Sequence, residues 1–165
     1  MVFCGLPGVG KSTLARLLAA RLATTYLRID TIETAIASTL GPIGDNPVGY
    51  VTAGCIAADQ LRSGRSVVTD AVNGIEEARQ GWMTVARDCA VPIRFVEVTC
   101  SDVLEHRRRV ETRVADLPGC SVPTWSQVQS RAWEPIALTH LVIDNLGDPF
   151  QHVDAALTWL LHSQG

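Results

Sequence analysis

Apolar residues in this chain occur in two patterns: short continuous runs, and longer stretches in which they recur every three or four positions. The first pattern predicts strands buried on both faces and the second predicts helices. Val2-Phe3-Cys4 predicts a first strand, and residues 12–23, with Leu14, Leu17, Leu18 and Leu22 at helical spacing, a first helix. Tyr26-Leu27-Arg28-Ile29 predicts a second strand ending at Asp30, followed by a short helix over 31–40 with Ile32, Ala35, Ile36 and Leu40 on one side. Glycine and proline mark 41–47 as a loop, and a helix is expected over 50–62. Ser66-Val67-Val68-Thr69 reads as a third strand ending at Asp70, with a helix after it over 75–89. A fourth strand is expected over 92–99, carrying Ile93, Phe95, Val96 and Val98. Ser101 is placed to cap an arginine-rich helix through about Ala115, which 117–123 breaks. Another helix starts at Trp125, runs to Arg131 and is interrupted near Pro135. A fifth strand over 140–143 ends at Asp144, and 150–162 closes the sequence as an amphipathic helix with Val153, Ala156, Leu157, Leu160 and Leu161 inward.

Strand and helix alternate throughout, which predicts an α/β fold with a parallel sheet wrapped by helices. At 165 residues, a single domain over 1–165 with one sizeable core is expected.

Between the first strand and the first helix lies Gly5-Leu6-Pro7-Gly8-Val9-Gly10-Lys11-Ser12-Thr13. It fits G-x-x-x-x-G-K-[ST], a loop whose backbone N–H groups curl around phosphate oxygens. Lys11 would reach the β- and γ-phosphates and the Ser12 hydroxyl would ligate Mg²⁺. The helix that follows turns its positive end to the same anion. Lys11 is also the only lysine, the other thirteen basic residues being arginine.

Composition narrows the partners. The net charge is −3 and the sequence pI about 5.7, against the basic excess usual in proteins that bind long nucleic acids. The five cysteines are scattered without a C-x-x-C pair, so a reduced, cytoplasmic setting is expected and zinc is not. No signal peptide or membrane-spanning run is read from the sequence.

Parallel sheets of this kind bind ligands at the carboxyl ends of their strands. Asp30, Asp70, Cys100 and Asp144 fall at those ends, so Asp30 and Asp70 are expected to converge on the γ-phosphate. Asp70, ending an apolar strand, has the Walker-B arrangement for holding Mg²⁺; the alternative is a turn cap with Asn73 and Gly74. Asp30 could accept the proton of an attacking hydroxyl, or cap the helix at Thr31 in a box completed by Glu33. Arg109 and Arg113 lie four apart on one face of the arginine-rich helix. They predict a mobile lid around 105–125 that neutralises charge on a transferring phosphoryl group, against a solvated face with a Glu105–Arg109 ion pair. Arg79 could hold an anionic substrate group or be an ordinary surface residue. The four tryptophans read as core or pocket wall, and 41–47 with the next helix as the border of an acceptor pocket.

Taken together, the chain resembles the small P-loop kinases of the zeta-toxin, chloramphenicol-phosphotransferase and polynucleotide-kinase type, the AAA-like kinase group. The likeness rests on the loop through Thr13, on Leu27-Arg28-Ile29-Asp30, on Val68-Thr69-Asp70-Ala71-Val72-Asn73, on Arg109 and Arg113, on Trp133-Glu134-Pro135 and on Val142-Ile143-Asp144. It implies a doubly wound, five-stranded sheet like that of nucleoside-monophosphate kinases. It implies ATP with Mg²⁺ and phosphoryl transfer to a hydroxyl. Gly5, Gly8, Val9, Gly10, Lys11, Ser12 and Thr13 would bind the nucleotide, Asp30 would be the general base, Arg109 and Arg113 would belong to the lid, and the segment near Asp144 would line the adenine pocket. Many relatives carry an arginine three residues after the base, where this chain has Glu33.

The leading expectation is therefore a kinase of small hydroxylated molecules. A kinase of nucleosides or nucleic-acid ends shares the chemistry. A nucleotide-dependent ATPase or switch is the alternative of another class. For the last, a guanine-selecting N-K-x-D is impossible with Lys11 as the sole lysine, and L-S-G-G-Q does not occur. The acceptor, ATP-versus-GTP preference and oligomeric state are not written in the sequence.

Overall fold

The computed structural model describes residues 1–119 and 122–162. Its strands β1 (Val2–Cys4), β2 (Thr25–Arg28), β3 (Val67–Asp70), β4 (Phe95–Thr99) and β5 (Leu141–Asp144) form one sheet in the order β2-β3-β1-β4-β5, every pairing parallel. The helices are α1 (Lys11–Arg21), α2 (Ile29–Leu40), α3 (Val48–Arg62), α4 (Glu76–Asp88), α5 (Val103–Thr112), α6 (Trp125–Gln129) and α7 (Pro149–His162). The chain is thus a doubly wound α/β fold, as expected.

The strands earn their places through alternation of side chains between two cores. Phe3, Val68, Val96 and Val98 point into the layer shared with Leu14, Leu18, Val153 and Ala156 of α1 and α7. Val2, Cys4, Val67 and Phe95 point the other way, into a layer with Ala53, Ala57 and Trp82 of α3 and α4. Alanine at the α3 contact positions lets that helix lie close to the sheet.

The second layer is pinned by one polar residue. Asn73 is fully buried with a left-handed φ of 49°. Its amide donates to Phe3 O at 2.7 Å, its side-chain oxygen accepts from Trp82 Nε1 at 3.0 Å, and its carbonyl accepts from Arg79 Nη1 at 3.0 Å. The strand β1 and the helix α4 therefore meet on the side chain of Asn73.

Several boundaries move from their expected places. β2 stops at Arg28, and Ile29 enters the core from the first turn of α2. An apolar residue there serves strand and helix alike, so periodicity could not choose. Arg28 occupies the N-cap of α2 with no side-chain cap; the expected cap at Asp30 with Glu33 is not formed, and Asp30 lies inside the first turn. α5 is capped by Asp102, which accepts from Leu104 N and Glu105 N, rather than by Ser101. It ends at Thr112, whose hydroxyl donates back to Arg108 O at 2.7 Å. Residues 92–94 precede β4, and α6 stops at Gln129. Leu161, expected inward, is 75% exposed, and Leu40, on the apolar side of α2, is 81% exposed. Cys120 and Ser121, in the expected break after α5, lie outside the described residues. No helix among the described residues is long and apolar enough to cross a membrane.

Replacing Asn73 with Ala leaves the Trp82 indole N–H and the Phe3 carbonyl without their buried partner. The expected cost is about 2–4 kcal/mol of stability, read as a lower urea midpoint at unchanged slope.

Candidate functional site

The loop between β1 and α1 turns three times through positive φ, at Gly5 (153°), Gly8 (88°) and Gly10 (88°). At each, a β-carbon would collide with a neighbour: with Val98 O at 2.5 Å for Gly5, with Val110 Cγ2 for Gly8 and with the Asn145 amide for Gly10. Glycine is required there both by conformation and by space. α1 begins immediately behind, with Gly10 as N-cap and no side chain capping its first turn. Its first N–H groups are therefore left for an anion.

Three side chains hold the loop's outer carbonyls and strand. Asn145 Nδ2 donates to Val9 O at 2.8 Å, and Nε2–H of His106 donates to Pro7 O at 2.8 Å. Asn73 holds Phe3 from below, and Gly5 N donates to Val72 O at 3.0 Å. Pro7 and Val9 thus give their carbonyls to donors outside the loop, while Gly8 and Gly10 line the cavity. His106 in turn packs edge-on against Trp125, ring centres 5.0 Å apart.

Lys11 is buried, with Nζ 3.6 Å from Asp70 Oδ1. The other Asp70 oxygen accepts from Tyr26 OH at 2.6 Å. Burial, then the neighbouring carboxylate, pushes the Tyr26 phenol above its ordinary pKa, so it stays a donor. Asp70 Oδ1 itself is buried without a hydrogen bond, which is the state of an oxygen awaiting a further partner.

In front of Lys11 opens a cavity of about 320 Å³ lined by Gly8, Gly10, Ser12 and Thr13 on one side and by Arg28, Arg109 and Arg113 on the other. Arg109 and Arg113 are thus brought to the loop. Arg109 Nε is held by Glu105 at 2.7 Å and its Nη1 donates to Asn145 O at 3.0 Å. Glu105 is shared with Arg108, and these two partners hold its carboxyl down at about 2. Arg113, just past the end of α5, is 3.4 Å from Asp116. The helix expected to be a mobile lid is anchored: His106, Arg109 and Val110 all bear on the loop or on Asn145.

Other expected site residues lie off this cavity. Asp30 is 3.2 Å from Arg28 Nη2, and the β2–β3 register sets Arg28 opposite Asp70, so Asp30 and Asp70 stand at the same carboxyl end of the sheet. Asp144 accepts from the backbone and hydroxyl of Ser101, which hold its carboxyl below the usual range. Arg79 is buried, not on the surface; it donates to Asn73 O and Pro135 O and lies 4.0 Å from Glu134. Its guanidinium is occupied by the fold. Val9 is a buried core residue whose place in the site is its backbone. Sequence reasoning missed Tyr26, Arg28, His106, Asp116 and Asn145, all of which reach the site from segments the motif does not include.

Among the described residues no cluster of three His, Cys, Asp or Glu side chains could hold a metal. A cation here would draw its ligands from the Ser12 hydroxyl, the buried Asp70 oxygen and a nucleotide's own phosphates, a set of hard oxygens suited to Mg²⁺.

The model of the AAA domain family matches residues 1–134. None of the curated proteins matches the chain. Solved structures similar to it include the Mycobacterium tuberculosis APS kinase bound to AMPPNP and APS, at 20% identity and TM-score 0.74, covering 96% of this chain and 95% of that one. A sugar kinase from Janibacter sp. HTCC2649 aligns at 20% identity and TM-score 0.69 over 96% and 92% of the two chains. A gluconokinase from Sinorhizobium meliloti 1021 aligns at 19% identity and TM-score 0.68 over 98% and 90%. The fold is that of the small P-loop kinases.

Gly8→Ala combines a positive φ with a collision against Val110, whereas Gly64→Ala meets a φ of 78° in open space. Gly64→Ala is expected to cost about 1 kcal/mol and Gly8→Ala about 2–4 kcal/mol, compared by thermal melting of the two variants.

Proposed function

The chain belongs to the AAA domain family, and from that premise we propose that it is an ATP- and Mg²⁺-dependent phosphotransferase moving the γ-phosphate to a hydroxyl of a small molecule. The observation that carries this reading is the buried Lys11 ammonium beside Asp70, at the floor of a cavity walled by the glycine loop and two arginines. A hydrolytic switch needs the loop and the metal site. It does not need an acceptor-sized space beside the phosphates.

The loop amides and Lys11 would bind the β- and γ-phosphates, fixing the terminal phosphorus relative to the acceptor. Ser12 and Asp70 would hold the metal, which when bound would supply positive charge to the phosphate oxygens. As the acceptor oxygen forms its bond to the γ-phosphorus, the bond to the bridging oxygen breaks and its electron pair leaves with ADP. The acceptor proton passes to a carboxylate. Asp30 suits this better than Asp70. Asp30 is partly exposed, and Asp70 is only 2% exposed with Lys11 and Tyr26 already at its two oxygens. Arg109 and Arg113 would neutralise charge on the transferring group. Because α5 is tied to the loop, the closing part of the lid is the segment after Thr112 rather than the whole of 105–125. Asp144, at the end of β5 beside Asn145, would border the base of the nucleotide.

The kinases among the similar structures act on small molecules by their names, which supports a small acceptor here. The net charge of −3 disfavours a long polyanion as acceptor.

ADP release with and without a panel of hydroxylated small molecules tests the reading. Strong acceptor dependence is expected; ADP release indifferent to every acceptor, or nucleotide-driven partner binding without phosphorylation, would support the switch instead. Lys11→Ala is expected to lose most transfer, and unchanged turnover would remove the loop from the mechanism. Asp30→Asn is expected to keep ATP affinity and slow transfer on the order of 10²-fold; weakened ATP binding with intact chemistry would make Asp30 a structural or metal-holding group.

A further inference from the structure

Arg28 is a cavity residue with no task in the mechanism above. Its side chain is 9% exposed, yet it lines the cavity opposite the loop. Both ends of its guanidinium fork meet the two oxygens of Asp116, Nη1 with Oδ2 and Nη2 with Oδ1 at 3.1 Å. Nη2 also reaches Asp30 at 3.2 Å. Nε is buried and has no hydrogen-bond partner among the described residues.

A forked guanidinium on a two-oxygen anion is the geometry by which arginine recognises carboxylate, sulfate or phosphate groups. Here the anion comes from the chain itself. Asp116 stands on the segment after α5, its side chain 51% exposed, and is also 3.4 Å from Arg113. One carboxylate therefore lies between two arginines of the cavity wall. The local balance of charge points the same way. Lys11, Arg16, Arg28, Arg109 and Arg113 line the cavity, with Asp116 its one acidic lining residue. Lys11 and Arg109 flank the loop, whereas Arg28 sits two residues before Asp30 and bonded to it, on the side from which an acceptor would arrive.

Resting on the kinase reading, we infer that Arg28 is the residue that selects the acceptor, that the acceptor carries an oxyanion as well as its hydroxyl, and that Asp116 occupies the oxyanion's place until the acceptor arrives. Exchange of one carboxylate for another anion keeps the charge on Arg28 balanced. Withdrawal of Asp116 also releases Arg113 toward the phosphates. Acceptor binding and closure of the segment after Thr112 are thereby one event.

The test is calorimetric titration of sodium sulfate, sodium phosphate and sodium acetate into the protein saturated with Mg²⁺ and AMPPNP, so that the loop is already filled. Asp116→Asn removes the internal competitor and is expected to tighten binding of at least one of the three anions by about tenfold. Arg28→Gln is expected to abolish it, and Arg28→Lys, which keeps the charge but not the fork, to weaken it by about tenfold or more. The anion preferred by Asp116→Asn identifies the acceptor's group. Unchanged anion affinity in Asp116→Asn, or binding retained by a folded Arg28→Gln protein, overturns the inference. A large fall in the melting temperature of Asp116→Asn overturns it as well, since the pair would then be a structural latch. Failure to take up AMPPNP would strike the kinase reading alone. In that event the same titrations on nucleotide-free protein carrying Lys11→Ala still report on Arg28.

Discussion

The backbone between β1 and α1 runs so close to its neighbours that three of its residues can have no side chain. That constraint organises the site. Below the loop is the β4 carbonyl of Val98, above it Val110 of α5, and beside it the Asn145 amide at the end of β5. A loop boxed in on three sides keeps one conformation, and its amides are aligned before any anion arrives. Preorganised donors avoid the reorganisation that water would require. The same confinement explains why the loop's carbonyls find partners on Asn145 and His106. They are turned outward, and buried carbonyls must be satisfied.

Much of the architecture was legible because each level of the sequence agreed with the next. The apolar runs at Val2, Val67 and Phe95 can only be strands buried on both faces, and the glycine motif can only sit at the carboxyl end of one of them. Boundaries failed where one residue suits two conformations. Ile29 enters the core equally well from a strand or from a helix's first turn, so Asp30 was expected after a strand and lies within α2. Leu161 fits the helical stripe and is nonetheless 75% exposed, because a stripe of one helix does not say how far its partner layer extends. The braces of the loop were not legible. Asn145 lies 136 positions from Val9 and His106 lies 99 from Pro7. A buried polar residue gives no periodic signal until its partner is in place.

Arginine content misled in one way and informed in another. A guanidinium near a helix N-terminus, as at Arg79, suggests a surface or a ligand. In the fold it is 5% exposed and donates to backbone carbonyls of the turn at Asn73 and of Pro135. The basic run of α5 divides its work. Arg107 and Arg108 pair with Glu111 and Glu105 on the outside, where such pairs add little stability. Arg109 is steered by Glu105 onto Asn145 O. The pair that would mark a plain solvated face is therefore also the one that aims this guanidinium into the site.

Arg109 and Arg113, four apart in sequence, consequently belong to different mechanical parts. Arg109 is fixed because moving it would disturb Asn145, and Asn145 holds the loop. Arg113 lies where the helix has already ended, in extended backbone, and its hydrogen-bond partner among the described residues is the exposed carboxylate of Asp116. An anion-binding site whose charge-bearing groups were all fixed would bind its ligand and release it poorly, while one whose groups were all mobile would lose the alignment that the glycine loop provides. Fixing the arginine next to the loop and loosening the one beyond the helix end lets one part of the wall remain in register with the phosphates. The other part is then free to respond to whatever occupies the acceptor side. The short α5, ending at Thr112 instead of continuing to 115, is what makes that division possible.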